Sequence, residues 1–127
     1  MLELPADLEP FADDFDQMHA SGAYALVLDR PDDFHAAWRR EFDAVPDWFT
    51  LARDASTLAY VGGSSDVLSR LEDHRDGEGR TTVLTRVCEI DRLQSVWFAK
   101  DEPWEVTEAN LASALRETRP SWYVHQR

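Results

Sequence analysis

Apolar residues recur along this chain in two rhythms, and the changes between them divide it into helices and strands. Leu8, Phe11, Phe15 and Met18 follow one another at three- and four-residue steps, which predicts an amphipathic helix from Ala6 to Ala20 behind Pro5. Ser21-Gly22 interrupts that rhythm, and Ala23 to Leu28 reads as a strand. Asp29 to Asp33 is a turn that leads into a helix carrying Phe34, Trp38 and Phe42, which runs to about Val45. Pro46 to Ala55 is a loop or a short turn of helix, and Thr57 to Val61 is strand-like and ends in Gly62-Gly63.

Ser64-Ser65-Asp66 then caps a second amphipathic helix, with Val67, Leu68 and Leu71 inward and Arg70, His74 and Arg75 on its other faces. Asp76 to Arg80 is a glycine-containing loop. Thr82 to Arg92 stays open: its β-branched residues suit a strand, whereas Val83, Val87, Ile90 and Leu93 suit a helix. Gln94 to Ala99 is a strand, Asp101 to Trp104 a turn and Thr107 to Arg116 a helix that Pro120 stops, leaving Ser121 to Gln126 extended. The order predicts an α/β (α+β) domain, a small sheet covered by helices.

The chain has 127 residues, enough for one domain with a real core. Its apolar fraction and its five Trp argue for a packed globule. No apolar run approaches the roughly 20 residues of a membrane helix, and Met1 to Asp16 holds neither Lys nor Arg. The expectation is therefore a cytoplasmic protein with no membrane partner. Cys88 stands alone, so it is expected to be a small buried apolar residue.

Charge changes the picture more. Twenty-five acidic residues face thirteen basic ones, the net charge is −12, and Lys100 is the only lysine. Acid spread along the whole chain with almost no Lys looks like the proteins of salt-accumulating halophiles. Such a surface gives little long-range steering toward nucleic acid, so any such binding has to rest on a local site.

The candidate chemistry lies in Gly22-Ala23-Tyr24, Tyr60-Val61-Gly62 and the helix from Ser64 to His74. Paired strands carrying these residues place two phenols on one sheet face, because alternate residues share a face. Gly62 and Gly63 let the backbone bend and a phosphate approach, with Ser64 beside them. Arg70, one helix turn before His74, offers a planar guanidinium that can hold a phosphate oxygen through two hydrogen bonds.

This ordered set resembles the GIY-YIG nuclease superfamily, over Ser21 to Val124 with the residues between the tyrosine strands set aside. The resemblance implies a small, mainly antiparallel three-stranded sheet flanked by helices. Residues 1–127 would form a single domain, with a helical extension at 1–20 and a helical insertion at 30–55. It further implies that Tyr24 and Tyr60 are the two phenols, one of which activates the attacking water with help from the other groups, that Arg70 clamps the phosphate, and that His74 assists as acid, base or phosphate contact. Gly62, Gly63 and Ser64 would line the substrate, and a glutamate on a later helix would hold Mg²⁺ or Mn²⁺.

Toward the C-terminus the likeness loosens. Registered on Pro120, Trp122 takes the family's aromatic position, Tyr123 stands where asparagine is usual, and Leu111 stands where the metal-binding glutamate belongs. Glu108, one turn earlier, is the candidate metal ligand, and Glu105 lies a further turn back. Two expectations follow from the resemblance. One is a domain that binds, and with a divalent metal cleaves, nucleic acid such as DNA. The other is a non-catalytic descendant used for protein interaction or regulation, which the displaced carboxylate, the acidic surface and the inserted helix favour. In the second, Phe34, Trp38 or Phe42 would fill the cleft. An unrelated domain carrying the motif by chance would place the two tyrosines on non-adjacent strands.

Each residue also has a plainer reading. The tyrosines suit strands, Arg70 and Arg75 suit a solvated ion-pair face, His74 suits a structural or merely exposed place, and Glu108 suits an exposed helix. The tryptophans suit a core. His19, His35 and His125 share no ligand spacing.

Overall fold

The computed structural model describes residues 20–76 and 83–126. The expected helix at Ala6 to Ala20 and most of the loop at Asp76 to Arg80 lie outside the described residues. In order the elements are β1 (Gly22–Asp29), α1 (Phe34–Glu41), α2 (Phe49–Asp54), β2 (Thr57–Ser64) and α3 (Val67–Asp76). They continue as α4 (Val83–Val87), β3 (Glu89–Phe98), α5 (Trp104–Thr118) and β4 (Trp122–Gln126).

β1 is almost wholly apolar and is buried on both faces, as a central strand must be. It pairs antiparallel with β2 on one side and with β3 on the other. The sheet has four strands in the order β3-β1-β2-β4, and β4 runs parallel to β2. This corrects the expected three-stranded antiparallel sheet: the extended tail at Ser121 to Gln126 is an edge strand. Its five residues alternate, with Val124 packing on one face of the sheet and Tyr123 on the other. A parallel partner needs a crossover, and α5 supplies it by packing across β1 and β2.

The open span at Thr82 to Arg92 divides, with α4 first and β3 from Glu89 onward. β3 begins five residues before the expected Gln94 because Glu89 to Leu93 also pair with β1; Asp91 and Arg92 are exposed there and two register shifts blur the alternation that marks a strand. α1 stops at Glu41, where Phe42 turns extended.

Helices cover both faces of the sheet. On one, Ala23, Ala25, Ala59 and Val61 make a small-residue surface for Leu111, Ala112 and Leu115 of α5. On the other, Tyr24, Leu26, Leu58 and Tyr60 pack against Phe34, Trp38 and Phe49 of α1 and α2 and against Val67, Leu68 and Leu71 of α3. Arg30 ties down the segment bearing α1 and α2, because its Nη1 donates to the carbonyls of Ala52, Arg53 and Ala55, each at 2.8 Å. Cys88 is buried in the second core, and burial pushes its thiol up to about 12. No helix among the described residues is long and apolar enough to cross a membrane.

Candidate functional site

Tyr24 and Tyr60 lie on neighbouring strands. Tyr24 pairs with Gly62 and Tyr60 with Leu26, so the two phenols are diagonal neighbours on one face. Their ring centres are 6.4 Å apart. Both residues are fully buried. α3 brings His74 to them from above, and Tyr24 Oη and His74 Nε2 share a hydrogen bond of 2.8 Å. Tyr60 faces the same imidazole at 5.9 Å between ring centres, and His125 of β4 stacks on its flank at 6.4 Å.

Gly62 lies beneath this cluster. A methyl group on it would come within 2.7 Å of the Tyr24 hydroxyl oxygen and 3.1 Å of that of Tyr60. Glycine is therefore required here so that the two hydroxyls can converge, whereas the motif alone suggests an approach of phosphate to the backbone.

Gly63 points the other way, as the next residue in a strand must. A methyl group there would meet the Trp104 ring at 2.5 Å and Glu108 Oε2 at 2.9 Å. Glu108 is buried at 4 % exposure, contrary to the plainer reading of an exposed helical residue. Gln126 Nε2 donates to its Oε1 at 3.3 Å. The sheet thus separates Glu108 from the phenol pair.

Arg70 is half-buried on α3, one helical turn before His74. With Gly63, Ser64, Ser65, Ser69 and Trp104 it lines an open cavity of about 360 Å³ at the start of α3. Asp66 and Asp73 share that wall, and Arg70 Nη1 is 3.6 Å from Asp73 Oδ2. The expected cap is present, since the Asp66 carboxylate accepts from the amide of Ser69 at 3.1 Å. The amide of Asp66 donates to Ser64 Oγ at 3.0 Å.

These donors do not fit one divalent ion shared by the phenols and Glu108. The carboxylate and the hydroxyls face opposite sides of the sheet, and a bound ion needs its ligands within about 2.0–2.6 Å. Among the described residues no group of three or more His, Cys, Asp or Glu side chains gathers at one point. Glu105 is exposed in the first turn of α5.

Two residues that sequence reasoning left unassigned belong to the phenol cluster's surroundings. His125 packs between Tyr60 and Trp48, with ring centres 4.7 Å apart in the second pair. Burial first, and the Arg116 charge second, lower the pKa of His125 below its usual value. Tyr123 stacks on Trp48 at 5.8 Å and 15°, and burial raises the pKa of its phenol. The alternation Trp122-Tyr123-Val124-His125 was the available signal for both. Trp97 departs from the expected core role, with 41 % exposure on β3.

Compared with family models, with curated proteins and with solved structures, the chain matches none.

Proposed function

We propose that this chain is a GIY-YIG-like domain in which the phenol pair has become part of the core, and that it acts as a non-catalytic interaction or regulatory module. One observation carries the reading: Tyr24 and Tyr60 are fully buried on one sheet face, while Glu108 is buried on the other. Hydrolysis by this motif needs a phenol, a phosphate and a metal-bound carboxylate in mutual reach. Three further features support the reading. α1 and α2 bring Phe34 and Trp38 into the same core cluster as the tyrosines, as expected for a filled cleft. The Tyr24 hydroxyl is engaged by His74 within the core. A net charge of −12 disfavours a polyanionic partner.

A second reading, nucleic-acid binding through Arg70, is favoured by the cavity that Arg70 shares with Ser64, Ser65 and Trp104. Asp66 and Asp73 in the same wall oppose it, because they repel phosphate. A cleavage assay on branched, single-stranded and duplex DNA in molar KCl, with Mg²⁺ or Mn²⁺, tests both. The native chain is compared with Tyr60→Phe, Arg70→Ala and Glu108→Gln. The proposal expects no metal-dependent cutting by well-folded protein. Cutting that all three substitutions abolish would overturn it. Retention of DNA that only Arg70→Ala weakens would favour the second reading.

A further inference from the structure

The sheet order puts β3 at one edge and β4 at the other. The unpaired backbone groups of an edge can template another strand, and proteins blunt them with charge, bulges, proline or a covering group. β4 is short, and Arg116 of α5 donates to its Val124 carbonyl at 2.9 Å. The start of β3 is blunted too, because Glu89, Asp91 and Arg92 are exposed and both register shifts fall before Ser95. Ser95 to Phe98 has none of these devices. It pairs with β1 without a shift and holds neither proline nor charge.

One bond fixes which way the backbone of this stretch points. Ala99 N–H donates to the Ser21 carbonyl at 2.9 Å, so Ala99 faces β1. Antiparallel ladders alternate between bonded and non-bonded pairs. In the register Gly22↔Phe98, Ala23↔Trp97 and Tyr24↔Val96, Trp97 therefore also bonds to β1. Val96 and Phe98 turn their N–H and C=O groups to the outer side. Among the described residues no backbone bond outside the ladder reaches them. Their side chains belong to the core on the phenol face, whereas Trp97, opposite Ala23, is 41 % exposed.

Charge selects the occupant and its register. Copies of a chain with net charge −12 repel one another, so they can meet only where acid is locally absent. From Arg92 to Lys100 the sequence has no acidic residue. A two-fold axis sets two β3 strands antiparallel. With the axis at Val96, Arg92 would stand opposite the second copy's Lys100, a like-charge pair. With the axis at Trp97, Lys100 stands opposite Gln94, and Arg92 looks toward the second copy's Asp101-Glu102 turn, opposite in sign. That register also sets Val96 opposite the second copy's Phe98, so the outward N–H and C=O groups satisfy each other. The two exposed indoles meet at the axis.

We propose that two copies of this chain join through antiparallel pairing of β3 about a two-fold axis at Trp97, which makes one continuous sheet. The pairing stands whether or not the phenol pair is catalytic. Sedimentation equilibrium of the full chain in molar KCl, over a concentration series, is combined with residue-resolved amide hydrogen exchange.

A short paired stretch implies a weak dimer, which dilution dissociates. The amides of Val96 and Phe98 are expected to be protected at high concentration and to lose protection on dilution. Those of Trp97 and Ala99, bonded to β1, are expected to stay protected at both. Trp97→Lys places like charges at the axis and is expected to weaken the dimer about tenfold, with Ala99 protection reporting an intact β3. A monomer at every concentration would overturn the proposal. Protection of Val96 and Phe98 that dilution does not change would overturn it too, since another part of the chain would then cover the edge. A dimer in which these two amides exchange freely, or one that Trp97→Lys leaves as strong, would place the contact elsewhere and also overturn it.

Discussion

Tyr24 Oη and His74 Nε2 are joined at 2.8 Å across fifty positions of sequence, with the tyrosine fully buried and the histidine 9 % exposed. This bond fastens α3 to the middle of the sheet. In a core, a hydrogen bond of this kind costs most when only one partner is removed.

Tyr24→Phe keeps the ring and removes that bond from His74. The expected loss is about 1–3 kcal/mol of unfolding free energy, read from the midpoint of chemical denaturation in concentrated KCl. A variant as stable as the native chain would show that the bond contributes little to the fold.

Gly62→Ala probes the point over which the phenols converge. The added methyl would lie 2.7 Å from the Tyr24 oxygen and 3.1 Å from that of Tyr60, inside contact distance of both. Neither ring can retreat easily, because both are packed into one core. Overpacking of this kind costs about 1–3 kcal/mol, and a thermal melt in concentrated KCl should show the fall.

Arg30 should matter more than an ordinary surface arginine. Its three carbonyl contacts bind the end of α2 to the end of β1. Arg30→Met keeps most of the stem and removes the donors, with an expected cost of about 1.5–3 kcal/mol. Hydrogen exchange should locate the loosening in α2 before the rest of the domain.

His125 gives the stability a pH dependence of defined sign. Its pKa is lowered in the folded chain from the usual 6.5, so the unfolded chain binds the proton more readily. Its contribution is fully present above 6.5 and is lost as the pH falls from there toward the folded value. Denaturation midpoints measured across that window should decline on acidification. His125→Asn should flatten the decline relative to the native chain.

Much of the architecture was legible in the residues. The continuous apolar run of β1 and the Ser64-Ser65-Asp66 cap both lead to the elements that form. So did the shared face of Tyr24 and Tyr60, which period-two alternation requires. β4 was half legible: Ser121 to Gln126 reads as extended, but five residues with two polar side chains among them do not say that the segment joins the sheet beside β2. The separation of Glu108 from the phenols was half legible. Adjacent glycines in a strand must face opposite ways, so Gly62 and Gly63 could not serve one site together. Which face α5 would cover depends on its packing against Ala23, Ala25 and Ala59, and no single helix pattern encodes that.

The most direct measurement is nitration of the folded protein with tetranitromethane, mapped residue by residue by mass spectrometry. The chain has three tyrosines, of which Tyr123 is half-buried and Tyr24 and Tyr60 are fully buried. If the phenol pair belongs to the core, Tyr123 is modified first while Tyr24 and Tyr60 stay unmodified until the protein is unfolded. Nitration of Tyr24 or Tyr60 in the folded chain as fast as Tyr123 would contradict the account and return the pair to an open cleft.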